Sequence, residues 1–259
     1  IPISMNHFCL TIISSLETML IPFMLEIFFH SHSQALETYG TLTGMALPFL
    51  FFPATIVNSL SVMLMPAISS AYDQKQHRQM ENTISAAFIF AFLSAFSAPL
   101  PFLFTERYLG ETIFHSKEAG QYVYLFSVLC PFMYAAQTTS SILNGFGKTK
   151  QTLYHNLLGV GIRIFFILLL IPSKGIPGYL IGLLAGYSLQ LLLNLFCIYQ
   201  IVPFYFSAEK TLLFPVLTAI GGGILSKKFW GIASAALPLS SFYILVISGF
   251  LYFLFLLCV

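Results

Sequence analysis

Charge is the scarcest commodity in this chain. Asp, Glu, Lys and Arg make up 8% of its 259 residues, against about 25% in an ordinary soluble domain. The net charge is +2 and there is no basic tract, so nucleic acid is not an expected partner. Cysteine is sparse as well. Cys9, Cys130, Cys197 and Cys258 all sit in apolar runs without C-x-x-C spacing, which argues against a disulfide framework or a zinc site. Gly-rich phosphate loops, nucleophile elbows and metalloprotease motifs are missing. His30 and His32 stand two residues apart with no third ligand nearby, so no metal is expected. The polar stretches between apolar runs, such as Glu26–Glu37 and Ser69–Met80, are too short for an external catalytic domain. We expect neither an enzyme nor a cofactor. The start of the chain has no basic n-region and no small-residue cleavage pattern, and it begins at Ile1 rather than Met. The expectation is a piece of a longer protein.

What remains is apolar. The chain is 58% hydrophobic, with 28 phenylalanines and a mean hydropathy of +0.87. A spanning helix needs roughly 20 apolar residues. Runs of that kind predict eight membrane helices, near Ile3–Leu25, Tyr39–Ile68, Glu81–Phe104, Gln121–Leu143, Gln151–Ile171, Gly178–Val202, Leu212–Leu225 and Ile232–Cys258. The runs are continuous, unlike the alternating short strands of a barrel. The fold class is therefore all-α: a polytopic membrane protein with a six-helix unit over 1–202 and a peripheral two-helix hairpin over 203–259. Pro48, Pro53 and Pro66 predict bends in the second helix. Lys and Arg divide five against five between the two faces, and five against three without the final hairpin. The second count favours cytoplasmic termini.

Against this background two charges stand out. Glu17 and Arg163 lie inside apolar runs, where insertion of such a group costs about 2.5–3.5 kcal/mol. They either form a buried pair that fixes packing or line a polar path. Uncharged polar residues recur at helical spacing around them: Ser14 and Thr18 beside Glu17; Asn58 and Ser61; Gln137, Ser141 and Asn144; Asn156 and Gly159 beside Arg163; Tyr187, Gln190 and Asn194. Each alone reads as interhelical glue, worth about 0.6–2 kcal/mol. Together, stripes on five of the first six helices point to a shared aqueous cavity. Its expected lining is Glu17, Asn58, Gln137, Asn144, Asn156, Arg163, Gln190 and Asn194. The Gly178, Gly182, Gly186 row reads as a close-packing ridge.

Several segments carry a resemblance. Tyr39–Gly–Thr–Leu–Thr–Gly–Met–Ala–Leu–Pro48 runs on through Phe52–Pro53 and Asn58–Ser–Leu to Met65–Pro–Ala–Ile–Ser69. Ile142–Leu–Asn–Gly–Phe–Gly–Lys148 is followed by a helix and then Gly175–Ile–Pro–Gly178. Leu16–Glu17 and Ile21–Pro22 fit the same pattern. Together they resemble the stage V sporulation protein B group of polysaccharide-biosynthesis transporters. That group belongs to the superfamily of multidrug, oligosaccharidyl-lipid and polysaccharide exporters, with MurJ-type lipid II flippases and MATE drug exporters.

The resemblance implies a transporter of two six-helix lobes and two extra helices, working by alternating access in the bacterial cell membrane. This chain would supply the second lobe and the extra pair. The first lobe would come from the same longer chain or from a second one. The implied cargo is a lipid-linked oligosaccharide or peptidoglycan precursor for cell-wall or spore-cortex synthesis. The alternatives are a cation-coupled MATE-type drug exporter, a membrane glycan-processing enzyme and a structural membrane protein. In MurJ-type relatives, groups on the first and fifth helices of this lobe can hold a cation. Glu17 and Arg163 occupy those helices here, and an arginine there would take the cation's place.

Overall fold

The computed structural model describes residues 2–97, 110, 114–202, 217 and 224. These residues are helical with short turns, and no strand occurs among them. Among the described residues eight α-helices follow in order: α1 Pro2–Phe29, α2 His32–Thr41, α3 Leu47–Asp73, α4 His77–Ser97, α5 Lys117–Ser127, α6 Cys130–Gly145, α7 Thr149–Lys174 and α8 Ile176–Ile201. A π-helical turn, Leu42–Ala46, joins α2 to α3. Among the described residues, Thr11–Phe29, Thr149–Lys174 and Ile176–Ile201 are long and apolar enough to cross a membrane. The terminal hairpin expected over 203–259 lies outside the described residues apart from Leu217 and Ile224.

The helices run further than hydropathy indicated. Glu26–Glu37 was expected as a polar connection, yet only His30 and Ser31 leave the helix. His30 takes a φ of 53°, and Ser31 caps α2 by accepting from the Gln34 amide at 3.5 Å. Ser69–Met80 likewise shrinks to a turn at Gln74–Gln76, with Lys75 at φ 53°. Polar residues here mark helix ends that emerge from the membrane, which composition alone reads as loop.

Prolines set the irregularities. Pro48 has no N–H to give the carbonyl four residues back. The chain widens just before it, so that Leu47 N–H reaches the Leu42 carbonyl, five residues back. The expected Gln121–Leu143 helix is in fact two. Pro131 cannot donate to the Ser127 carbonyl, and α5 ends at Ser127, with α6 beginning at Cys130. The Ser127 hydroxyl turns back to the Tyr124 carbonyl at 2.6 Å.

Two apolar clusters hold the bundle. One gathers Leu25, Leu42, Leu50, Phe126, Tyr134, Ile167 and Ile171. The other gathers Ile68, Met80, Ile84, Phe88, Ile142, Leu143 and Ile198. Phe8, Met19, Leu192 and Phe196 are more than 60% exposed. Lipid tails are as apolar as these side chains, so a bilayer accepts them without penalty. Tyr134 adds a polar tie, its hydroxyl donating to the Leu50 carbonyl at 3.0 Å from a site 1% exposed. Tyr134→Phe should lower stability by about 1 kcal/mol, measured as a lower thermal midpoint in detergent.

Candidate functional site

Glu17 and Arg163 meet. Each lies near the middle of its helix, α1 and α7, and Arg163 Nη2 donates to Glu17 Oε2 at 3.0 Å. The side chains are 9% and 12% exposed. Tyr187 on α8 supplies a third contact, its ring centroid 5.0 Å from the guanidinium carbon, within cation–π range. Arg163 Nε is buried with no hydrogen-bond partner. The guanidinium is thus neutralised on one side and stacked on another, with its Nε–H buried and unpartnered.

The glycine row on α8 makes this possible. A Cβ on Gly186 would overlap Arg163 Cγ and stand 2.7 Å from the Gly159 carbonyl. At Gly182 it would meet Phe166 Cβ at 3.0 Å, and at Gly178 the Leu170 carbonyl at 2.6 Å. The row is a close-packing ridge against α7, as its spacing indicated. Its last member also makes room for the arginine, a link the spacing did not reveal.

A second polar group joins α6, α7 and α8. Asn194 is 0% exposed. Its Nδ2 donates to Thr139 Oγ1 at 3.1 Å, Ser140 Oγ at 3.0 Å and the Ala136 carbonyl at 3.4 Å. Its Oδ1 faces His155 Nδ1 at 2.8 Å. With the amide in this orientation, the imidazole carries a proton on Nδ1. Gln190 Nε2 donates to Asn156 Oδ1 at 2.6 Å and Ser140 Oγ at 3.2 Å. Between α3 and α6, the Ser61 and Thr138 hydroxyls stand 3.5 Å apart.

The structure therefore gathers Glu17 with Arg163, and Asn156 with Gln190 and Asn194. The other three expected cavity residues lie apart. Gln137 is exposed, to one side of the α6 face that meets the network. Asn58 and Asn144 each bury an Oδ1 without a partner, and Asn144 borders a cleft at the end of the bundle. His155, Thr139 and Ser140 were missed. The signal for His155 was present, because His155, Gly159 and Arg163 form an i, i+4, i+8 row. On α6 the chosen stripe of Gln137, Ser141 and Asn144 lay one residue, about 100° of helix rotation, from the inward Ala136, Thr139, Ser140 face.

A multi-pass helical bundle with a neutralised arginine at mid-span and an amide network beside it defines a polytopic membrane protein with a polar interior. The chain belongs to the MatE family, which matches residues 12–169. It is 28% identical to stage V sporulation protein B of Bacillus subtilis over 194 residues, covering 72% of this chain and 37% of that protein. It is also 28% identical over 163 residues to sporulation protein YkvU of Bacillus subtilis, covering 59% and 35%. The chain thus spans little more than a third of either relative. No solved structure matches it.

Proposed function

We propose that this chain is the second lobe of a membrane flippase, and that Arg163 is the fixed positive charge on its transport path. The carrying observation is the buried Arg163–Glu17 pair at mid-span with Tyr187 beside it and the Arg163 Nε–H buried without a partner. The cargo is a lipid-linked glycan whose diphosphate replaces Glu17 as the arginine's partner. Exchanging one anion for another keeps the guanidinium neutralised, and the released Glu17 carboxylate takes up a proton or water from the opened path. Bidentate capture of a phosphate suits the planar guanidinium. The sugar head then crosses beside Asn156 and Gln190 while the lipid tail stays in the bilayer. A first lobe, in the same longer chain or in a second one, closes the other wall and rocks against this one. A cation-coupled drug exporter fits less well, because the guanidinium sits 3.0 Å from the carboxylate a coupling cation would need.

The test uses the complete two-lobed protein in proteoliposomes and follows translocation of a fluorescent polyprenyl-diphosphate sugar. Glu17→Met combined with Arg163→Met removes both charges without stranding either. This double variant should fold and lose transport by at least about tenfold, the factor that 1.4 kcal/mol of lost recognition produces. Wild-type transport by a folded double variant removes Arg163 from the path.

A further inference from the structure

A second site lies away from the ion pair, at the end of the bundle where α3 finishes and α6 turns into α7. Here a cleft of about 440 Å³ is lined by Met65, Pro66, Ser69, Tyr72, Asp73 and Asn144, among others. Gly145 lets the two helices touch: a Cβ there would stand 3.0 Å from both the Met65 carbonyl and Ile68 Cβ.

The polar content of the cleft is mostly acceptor and aromatic. Asn144 Oδ1 is buried without a hydrogen-bond partner, an arrangement that costs stability unless something donates to it. Asp73 is exposed and makes no ion pair among the described residues. The Tyr72 ring, half-open to the cleft, is held edge-on against Phe146 with centroids 5.3 Å apart. A carboxylate, an amide oxygen and an aromatic ring in one cleft are the groups that recognise an organic ammonium. The position narrows the choice. The turn is capped by Lys148 and α7 enters its apolar span at Thr149, so the cleft sits at headgroup depth. Lys75 and Lys148 stand two and one residues after the lining residues Asp73 and Gly147 in the chain.

We propose that this cleft binds the headgroup of an ammonium-bearing phospholipid. The ammonium enters between Asp73, Asn144 and the Tyr72 ring. The phosphate lies toward Lys75 and Lys148, and an acyl chain follows the exposed Pro66 side of α3. The lysines disfavour a bare cation, and the acceptors disfavour a purely anionic head; a zwitterion satisfies both.

The full chain, purified in detergent, is titrated separately with phosphatidylethanolamine, phosphatidylglycerol and water-soluble phosphoethanolamine, with native mass spectrometry reading retained lipid. Phosphatidylethanolamine should be retained over phosphatidylglycerol. Asp73→Asn and Tyr72→Leu should each weaken its retention by about tenfold, with ligand-free thermal midpoints showing that both variants fold. Equal retention of the two lipids, or unchanged retention in Asp73→Asn, overturns the site. Binding of phosphoethanolamine as tight as that of the lipid overturns the lipid as its source.

Discussion

Glu17→Gln should destabilise this bundle by about 3–5 kcal/mol, because it strands a guanidinium in an apolar interior. The expected readout is a fall in thermal midpoint in detergent. Arg163→Ala should do comparable damage by stranding the carboxylate. The pair is weak evidence for stability in itself, since an ion pair of this kind often does no better than well-packed apolar groups. Glu17→Met with Arg163→Met should therefore recover most of the loss. If both single variants melt like the wild type, the charges are solvated and the site is not the buried one described. If the double variant melts as low as the singles, the pair is needed for packing and not merely for charge balance. Transport and stability thus separate cleanly: the double variant should keep the second and lose the first.

Gly186→Ala should be nearly as damaging, for a different reason. Its new methyl overlaps Arg163 Cγ and crowds the Gly159 carbonyl at 2.7 Å. Overpacking typically costs about 1–3 kcal/mol, and displacing the arginine adds the loss of its ion pair. Gly178→Ala meets Leu170 alone, its carbonyl oxygen at 2.6 Å and its Cβ at 3.0 Å, and serves as the comparison. Double-mutant cycles against the Glu17→Met, Arg163→Met background distinguish the two. Gly186→Ala should cost less there than in the wild type, because no ion pair remains to break. Gly178→Ala should cost the same in both, as expected of a site with no shared partner. Equal behaviour of the two glycines would mean that Gly186 serves packing alone.

The helical fold was legible because long apolar runs leave a chain few other choices. The arginine and the carboxylate were legible for the opposite reason, as costs that a sequence does not carry idly. Their direct contact was not, because 146 residues separate them and no local pattern reports such a distance. Helix ends were misplaced wherever polar residues such as Glu26, Asp73 and His77 emerge from the membrane while the backbone stays helical. The break before Cys130 was missed even though Pro131 announces it, since an unbroken apolar run outweighed a single residue. The network around Asn194 was half seen. Polar spacing picked out Asn156 on α7 and Gln190 and Asn194 on α8 but passed over His155, and on α6 several small polar residues are adjacent, so pattern alone could not choose between neighbouring faces.

One residue, Gly175, separates α7 from α8. It takes a φ of 62°, and a Cβ there would stand 2.8 Å from the Phe28 ring. Below it the glycine ridge presses the two helices together from Gly178 to Gly186. Mechanically, α7 and α8 are then a single stiff lever with its elbow seated on the end of α1. The Glu17–Arg163 contact is the latch between lever and post, set partway down the arm. In the transport cycle proposed above, swapping the latch's anion for another frees the lever without bending either helix.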